Sequence, residues 1–265
     1  MMLRSAAARA RNPSSPLLLA WLTAAAGCAA GTAPASAPAP PPAQDRDPLR
    51  GRGPELLAAA NERFAAGDVG RARPLYKLAA EAAERDGARP LAAEALARVA
   101  HCYALEGAGP ELGAPYLRRA ADAARPEEPR GWQAYLEVAA LYERLRGQPV
   151  EAIRLAAERF LSARSHGSGD AAAQTARSAR AQAEEVLAEQ RARARAGGPR
   201  ERERLGDCLL ELARFPRAEG RAAEERRFLA EARREWLAAG AARRRSDDLR
   251  ALDERLAALE GEGAR

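Results

Sequence analysis

The sequence predicts an all-α protein built as an α-solenoid of stacked antiparallel helix pairs, and three observations lead there. Ala, Leu, Arg and Glu, all strong helix formers, fill most of the 265 residues, whereas aromatics make up only 5% and β-branched residues are scarce. From Pro54 onward apolar residues recur at threes and fours, the period of a helix with one buried face. That pattern then repeats as a unit: Gly67, Gly107 and Gly147 stand forty residues apart, and so do Ala60, Ala100 and Ala140. Self-similarity at this period describes units that each fail to bury their own apolar face and stack on the next to do so.

Taken in chain order, the N-terminus comes first. Residues 1–27 hold three arginines and no acid, followed by the apolar run Leu17 to Ala26. About ten residues is the length of a signal-peptide core and well short of the roughly 20 a membrane-spanning helix needs, so this is an export signal. The run ends in Ala25-Ala26-Gly27-Cys28, which resembles the lipobox of bacterial lipoproteins. In that family the cysteine thiol is diacylglycerylated, the signal is cut before it and the new amine is acylated. The resemblance implies Cys28 as the lipidated first residue of the mature chain. Ala25 departs from the leucine more usual there, and cleavage at an Ala-x-Ala site, leaving a soluble periplasmic or secreted protein, is the alternative. Two or more acyl chains, at about 0.8 kcal/mol per buried methylene, would hold the protein firmly to a bilayer. Ala29, where an aspartate is associated with inner-membrane retention, points by resemblance to the outer membrane.

Residues 28–53 are rich in Pro and Ala with almost no large apolar side chain, and read as a disordered, semi-extended tether. The region 54–165 carries three repeats. Leu96, Val99, Ala100 and Tyr103, and again Tyr135, Val138, Ala139 and Tyr142, have the spacing of a first helix. Second helices follow with Ala72, Tyr76 and Ala79, then Gly113, Leu117 and Ala120, and more weakly Ala152 and Ala156. These residues resemble tetratricopeptide repeats, in which small residues let paired helices approach closely and aromatics fill the gap to the next pair. The period of forty exceeds that family's thirty-four, and HEAT-like and Sel1-like solenoids stay open. In the first copy either Ala60 or Asn61 takes the small position ahead of Phe64.

Residues 166–265 read as degenerate repeats closed by a capping helix. Asp170 suits the N-cap of a long helix from Ala171 to about Ala194, which Gly197-Gly198-Pro199 ends. Leu205, Cys208, Leu209 and Leu212 then recur at first-helix spacing. Pro216 precedes a helix carrying Phe228, Leu229, Ala232 and Trp236, and Ser246 can cap a last amphipathic helix with Leu249, Leu252, Leu256 and Leu259 on one stripe. Cys102 and Cys208 each sit in an apolar stripe as small buried hydrophobes, with a disulfide between them as the alternative.

The net charge of +6 falls to +3 once Arg4, Arg9 and Arg11 are discounted, leaving 40 basic against 37 acidic side chains. Arginines alternate with glutamates, as at Glu94 and Arg98, a spacing of four that pairs charges along one helix face. A solvated, salt-bridged surface follows, and no nucleic-acid partner is expected. The residual basic spots are Arg191, Arg193, Arg195, Arg200, Arg202 and Arg204, and the run Arg243 to Arg245. With two histidines and none of the common nucleophile, phosphate or metal motifs, neither an enzyme nor a cofactor or metal is expected. The Gly167-Ser168-Gly169 stretch is a turn.

What the repeat resemblance implies is protein binding on the first helices, with Asn61, Arg98, His101 and Glu137 as the candidate contacts. The carboxylate clamp known in that family is not expected, because Leu57 stands where it needs a lysine. The expected function is a membrane-anchored protein–protein interaction scaffold of the bacterial cell envelope, its partners other envelope proteins and, through Cys28, the membrane. The alternative is an accessory subunit of a peptidoglycan- or polysaccharide-active enzyme acting through Arg98 and Arg144, or a soluble periplasmic adaptor.

Overall fold

The computed structural model describes residues 49–107 and 110–262. The chain divides into two units, 1–45 and 46–265, and the described residues belong to the second. The expected signal peptide, Cys28 and residues 28–48 of the expected tether lie outside the described residues. Eleven helical segments make up the regular structure among those described. They are α1 (Gly53–Ala65), α2 (Val69–Arg85), α3 (Arg89–Leu105), α4 (Pro110–Ala123), α5 (Pro129–Leu145), α6 (Pro149–His166), α7 (Asp170–Ala196), α8 (Pro199–Leu212), the short α9 (Arg214–Ala218), α10 (Ala222–Ala238) and α11 (Ser246–Glu262).

Neighbours in sequence pack as antiparallel pairs, α1 on α2, α3 on α4, α5 on α6 and α6 on α7. Further along, α8 packs on α10 and α10 on α11, while α3 also packs on α5, which joins one pair to the next. The all-helical stack of antiparallel pairs expected from the sequence is therefore what the chain forms.

Local chemistry sets the boundaries. Proline opens α3, α5, α6 and α8 within their first two residues, where no intrahelical N–H is lost. The first helices close on glycine: at Gly67 (φ 78) and Gly147 (φ 72) the chain turns left-handed. There Gly67 N–H donates to the Phe64 carbonyl at 2.9 Å and Asp68 N–H to the Arg63 carbonyl at 2.9 Å, the bond pair of a Schellman cap, repeated at Gly147 and Gln148. Asp68 then starts α2, its carboxylate accepting from Arg71 N–H at 3.2 Å. The same glycine closure also ends α2, at Gly87, so every helix of the first copy stops the same way.

Three apolar clusters result. One lies among α1 to α5 around Tyr76, Leu96, Val99 and Tyr142, one among α6 to α11 around Phe160, Phe215 and Trp236, and a small one around Leu136 and Leu155. Ala60 is fully buried whereas Asn61 is exposed, so Ala60 is the small packing residue of the first copy. In the third copy Phe160 supplies the aromatic that Ala152 and Ala156 lack, its ring centroid 4.9 Å from that of Phe215. Cys102 and Cys208 are free, buried thiols in separate clusters, and burial pushes their pKa values up to about 11 and about 12.

Two local expectations change. Asp170 is the first residue of α7, and Gly169 (φ 86) takes the capping position without a side-chain bond. The acid still lies in the first turn, where the helix dipole favours it. Glu94 and Arg98 do not pair along α3: Arg98 reaches across to Glu137 on α5, and Glu94 takes Arg130. Packing α3 against α5 brings those partners within reach, whereas the same-helix pair would leave the half-buried Glu137 with Arg159 as its one charged partner.

Candidate functional site

Three of the four candidate residues meet in one polar cluster. Arg98, on α3, donates from both terminal nitrogens to the Glu137 carboxylate at 3.3 Å each, a bidentate pair across the α3–α5 junction. Arg159, on α6 and 7% exposed, donates to Glu137 Oε2 at 2.9 Å and to Ser178 Oγ on α7 at 3.4 Å. Gln182 of α7 donates to the Glu137 backbone carbonyl at 3.1 Å. Four helices thus meet at Glu137: α3, α5 and α6 through its carboxylate, and α7 through its backbone carbonyl. Burial alone would raise the Glu137 pKa, but the Arg98 and Arg159 guanidiniums outweigh it and hold the acid below its usual range. Arg159 Nε and Gln182 Oε1 are buried without a hydrogen-bond partner, which is the cost of fitting a charged cluster into a helix junction.

His101 sits at the edge of this cluster, its Nδ1 3.4 Å from Arg98 Nη1 and its ring 5.2 Å from that of Phe64. A guanidinium only donates, so Nδ1 accepts and the ring proton is on Nε2. Burial, followed by the adjacent Arg98 charge, pulls the His101 pKa down to about 4. Asn61 stands apart from the cluster: it accepts from Tyr76 Oη at 2.7 Å, a link within the first helix pair. Arg98 and Glu137 are therefore committed to each other, and Asn61 is the candidate most open to a partner.

Several of the basic positions are committed in the same way. Arg144 of α5 donates to Glu185 at 2.8 Å and also to Glu189, both on α7. Arg191 is held by Glu231 at 2.8 Å, Arg202 by Glu235 at 3.6 Å, and Arg245 by Glu203 and Asp207. Among the described residues no group of three or more His, Cys, Asp or Glu side chains is placed to hold a metal ion.

An open feature lies elsewhere, in a groove of about 670 Å³ between α4 and α6 with α5 as its floor. Trp132 and Tyr135, one helical turn apart on α5, form the floor with ring centroids 5.5 Å apart, both half-buried, beside Leu136 and Leu155. Leu117 and Arg118 stand on the α4 wall; Glu143, Glu151, Arg154 and Glu158 ring the other side. Sequence reasoning picked Tyr135 as a packing residue and passed over Trp132. The only available signal was that Trp132 stands forty residues after Ala92, a bulky ring where the preceding copy has a methyl group. Two part-exposed aromatic faces in a walled groove are a surface for apolar or cationic groups of another molecule.

Compared with known proteins, the chain matches no family model and no curated protein.

Proposed function

We propose that this protein is a membrane-anchored protein–protein interaction scaffold of the bacterial cell envelope, lipidated at Cys28 and carrying tetratricopeptide-like repeats. The observation that carries the binding reading is the groove of about 670 Å³ between α4 and α6, floored by the half-buried rings of Trp132 and Tyr135 and rimmed by charged side chains. Anchoring rests on the sequence: an export signal running into Ala25-Ala26-Gly27-Cys28 and a Pro/Ala-rich stretch before the first helix. Among the described residues no helix is long and apolar enough to cross a membrane. The enzyme-subunit alternative needs Arg98 and Arg144 to reach out, and both are engaged by carboxylates of the same chain.

The test is in-cell crosslinking and capture of a tagged protein from membrane fractions, with Cys28→Ala and Trp132→Ala alongside. The native form is expected in the membrane with a defined set of proteins, Cys28→Ala in the soluble fraction, and Trp132→Ala in the membrane with the set depleted. Native and Cys28→Ala forms that fractionate alike would end the lipidation reading, and a captured set unchanged by Trp132→Ala would end the groove reading.

A further inference from the structure

We propose that the groove between α4 and α6 takes a basic side chain, a lysine or arginine on a partner protein's exposed segment, laid against the Trp132–Tyr135 ring pair. The inference rests on the protein-binding reading and names the chemistry of the partner.

The molecule itself supplies the precedent. One repeat earlier, where α2, α3 and α4 meet, Tyr103 and Tyr116 stack with centroids 5.8 Å apart and Lys77 lies over both, 5.4 Å and 5.2 Å from their centroids. Lys77 also donates to Tyr103 Oη at 3.0 Å, and Arg73 covers the same ring at 4.7 Å. An aromatic pair at a helix junction is there covered by cations of the chain itself. Forty residues on, Leu117 replaces Lys77 and Glu143 replaces Tyr103. The second junction thus has rings of its own, Trp132 and Tyr135, but among the described residues neither carries a cation.

The charges around those rings favour one arriving from outside. Arg154 is shared between Glu151 and Glu158, one cation for two carboxylates, while Arg146 and Glu143 pair at 2.9 Å. The α6 rim keeps an excess negative charge beside the rings. Burial is the leading cause that pushes the Tyr135 phenol upward; Glu158, Glu143 and Glu151 add to it, and Arg154 opposes them. Arg118, exposed on the α4 wall, repels a cation there and so directs an incoming one toward α6.

The test uses the full-length protein in detergent micelles, titrated with capped Ala-Ala-Lys-Ala-Ala, with its norleucine counterpart and with its glutamate counterpart, following tryptophan fluorescence. A cation over exposed rings contributes about 1 kcal/mol, so the lysine peptide should bind about fivefold more tightly than the norleucine peptide. That preference should fall by about half in Tyr135→Leu, which keeps the Trp132 ring, and by about half in the rim variant Glu151→Gln with Glu158→Gln, each with helix content unchanged by circular dichroism. If either variant loses helix, the other decides. Equal binding of lysine and norleucine peptides, no binding of any peptide, tighter binding of the glutamate peptide through Arg118, or a lysine preference that survives the folded variants would each overturn the proposal. None of those outcomes touches the scaffold reading, which stands or falls on proteins captured from the envelope.

Discussion

Replacing Gly113 by alanine tests the packing logic at its tightest point. Gly113 lies on α4 against the buried ring of Tyr142 on α5, whose hydroxyl donates to the Ala100 carbonyl of α3 at 2.9 Å. A Cβ at 113 would fall 1.6 Å from Tyr142 Oη, 2.8 Å from Cζ and 3.2 Å from the Ala100 oxygen. Tyr142 is fully buried and cannot accommodate this without moving as a ring. Displacing it forfeits a neutral hydrogen bond, about 1 kcal/mol, and overpacks the junction at about 1–3 kcal/mol. Alanine returns about 1 kcal/mol of helix propensity, so the expected net loss is about 1–3 kcal/mol. Urea unfolding followed by circular dichroism measures it. In a Tyr142→Phe background the worst clash, with the hydroxyl oxygen, is gone and the contact with the ring carbon remains. Gly113→Ala should then cost about half as much, a coupling near 1 kcal/mol. A neutral or stabilising Gly113→Ala, or the same cost in both backgrounds, would refute the argument that this glycine exists to admit the tyrosine.

Gly206→Ala meets an analogous obstacle on α8, since its Cβ would stand 2.4 Å from Trp236 Cδ1, and a loss of about 1–3 kcal/mol in the same unfolding assay is expected. Glu137→Gln leaves the half-buried Arg98 and the buried Arg159 facing each other without their shared anion, and should cost about 2–4 kcal/mol, more than removing Arg98 alone. His101, with a folded pKa of about 4 against its usual 6.5, stays neutral in the fold while the unfolded chain takes up a proton. Stability should therefore fall as pH is lowered from about 6.5 toward about 4 and level off below. A pH series of melting temperatures in which His101→Gln follows the same acid limb as the parent would contradict this assignment. Glu137, its pKa depressed, adds a separate loss at lower pH, as the acid passes through its folded pKa.

The sequence by itself determined what depends on local chemistry and period. Composition made the chain helical, proline and glycine placed most of the helix ends, and the forty-residue spacing of Gly67, Gly107 and Gly147 announced stacked pairs. Buried residues such as Ala100, Val99, Leu209 and Trp236 were legible because a one-sided stripe at helical period has one physical use, burial. The tertiary structure alone decided which charges meet. Arg98 has carboxylates four residues away and across the helix junction, and only the packing of α3 on α5 selects Glu137. It likewise decided that Gly113 is a socket for Tyr142, and that Trp132 and Tyr135 floor an open groove while Tyr103 and Tyr116 are covered by Lys77. Period tells which face of a helix turns inward. Which neighbour waits there, and whether a gap is left, depends on contacts between residues about twenty to forty-five apart, and no local pattern encodes those distances.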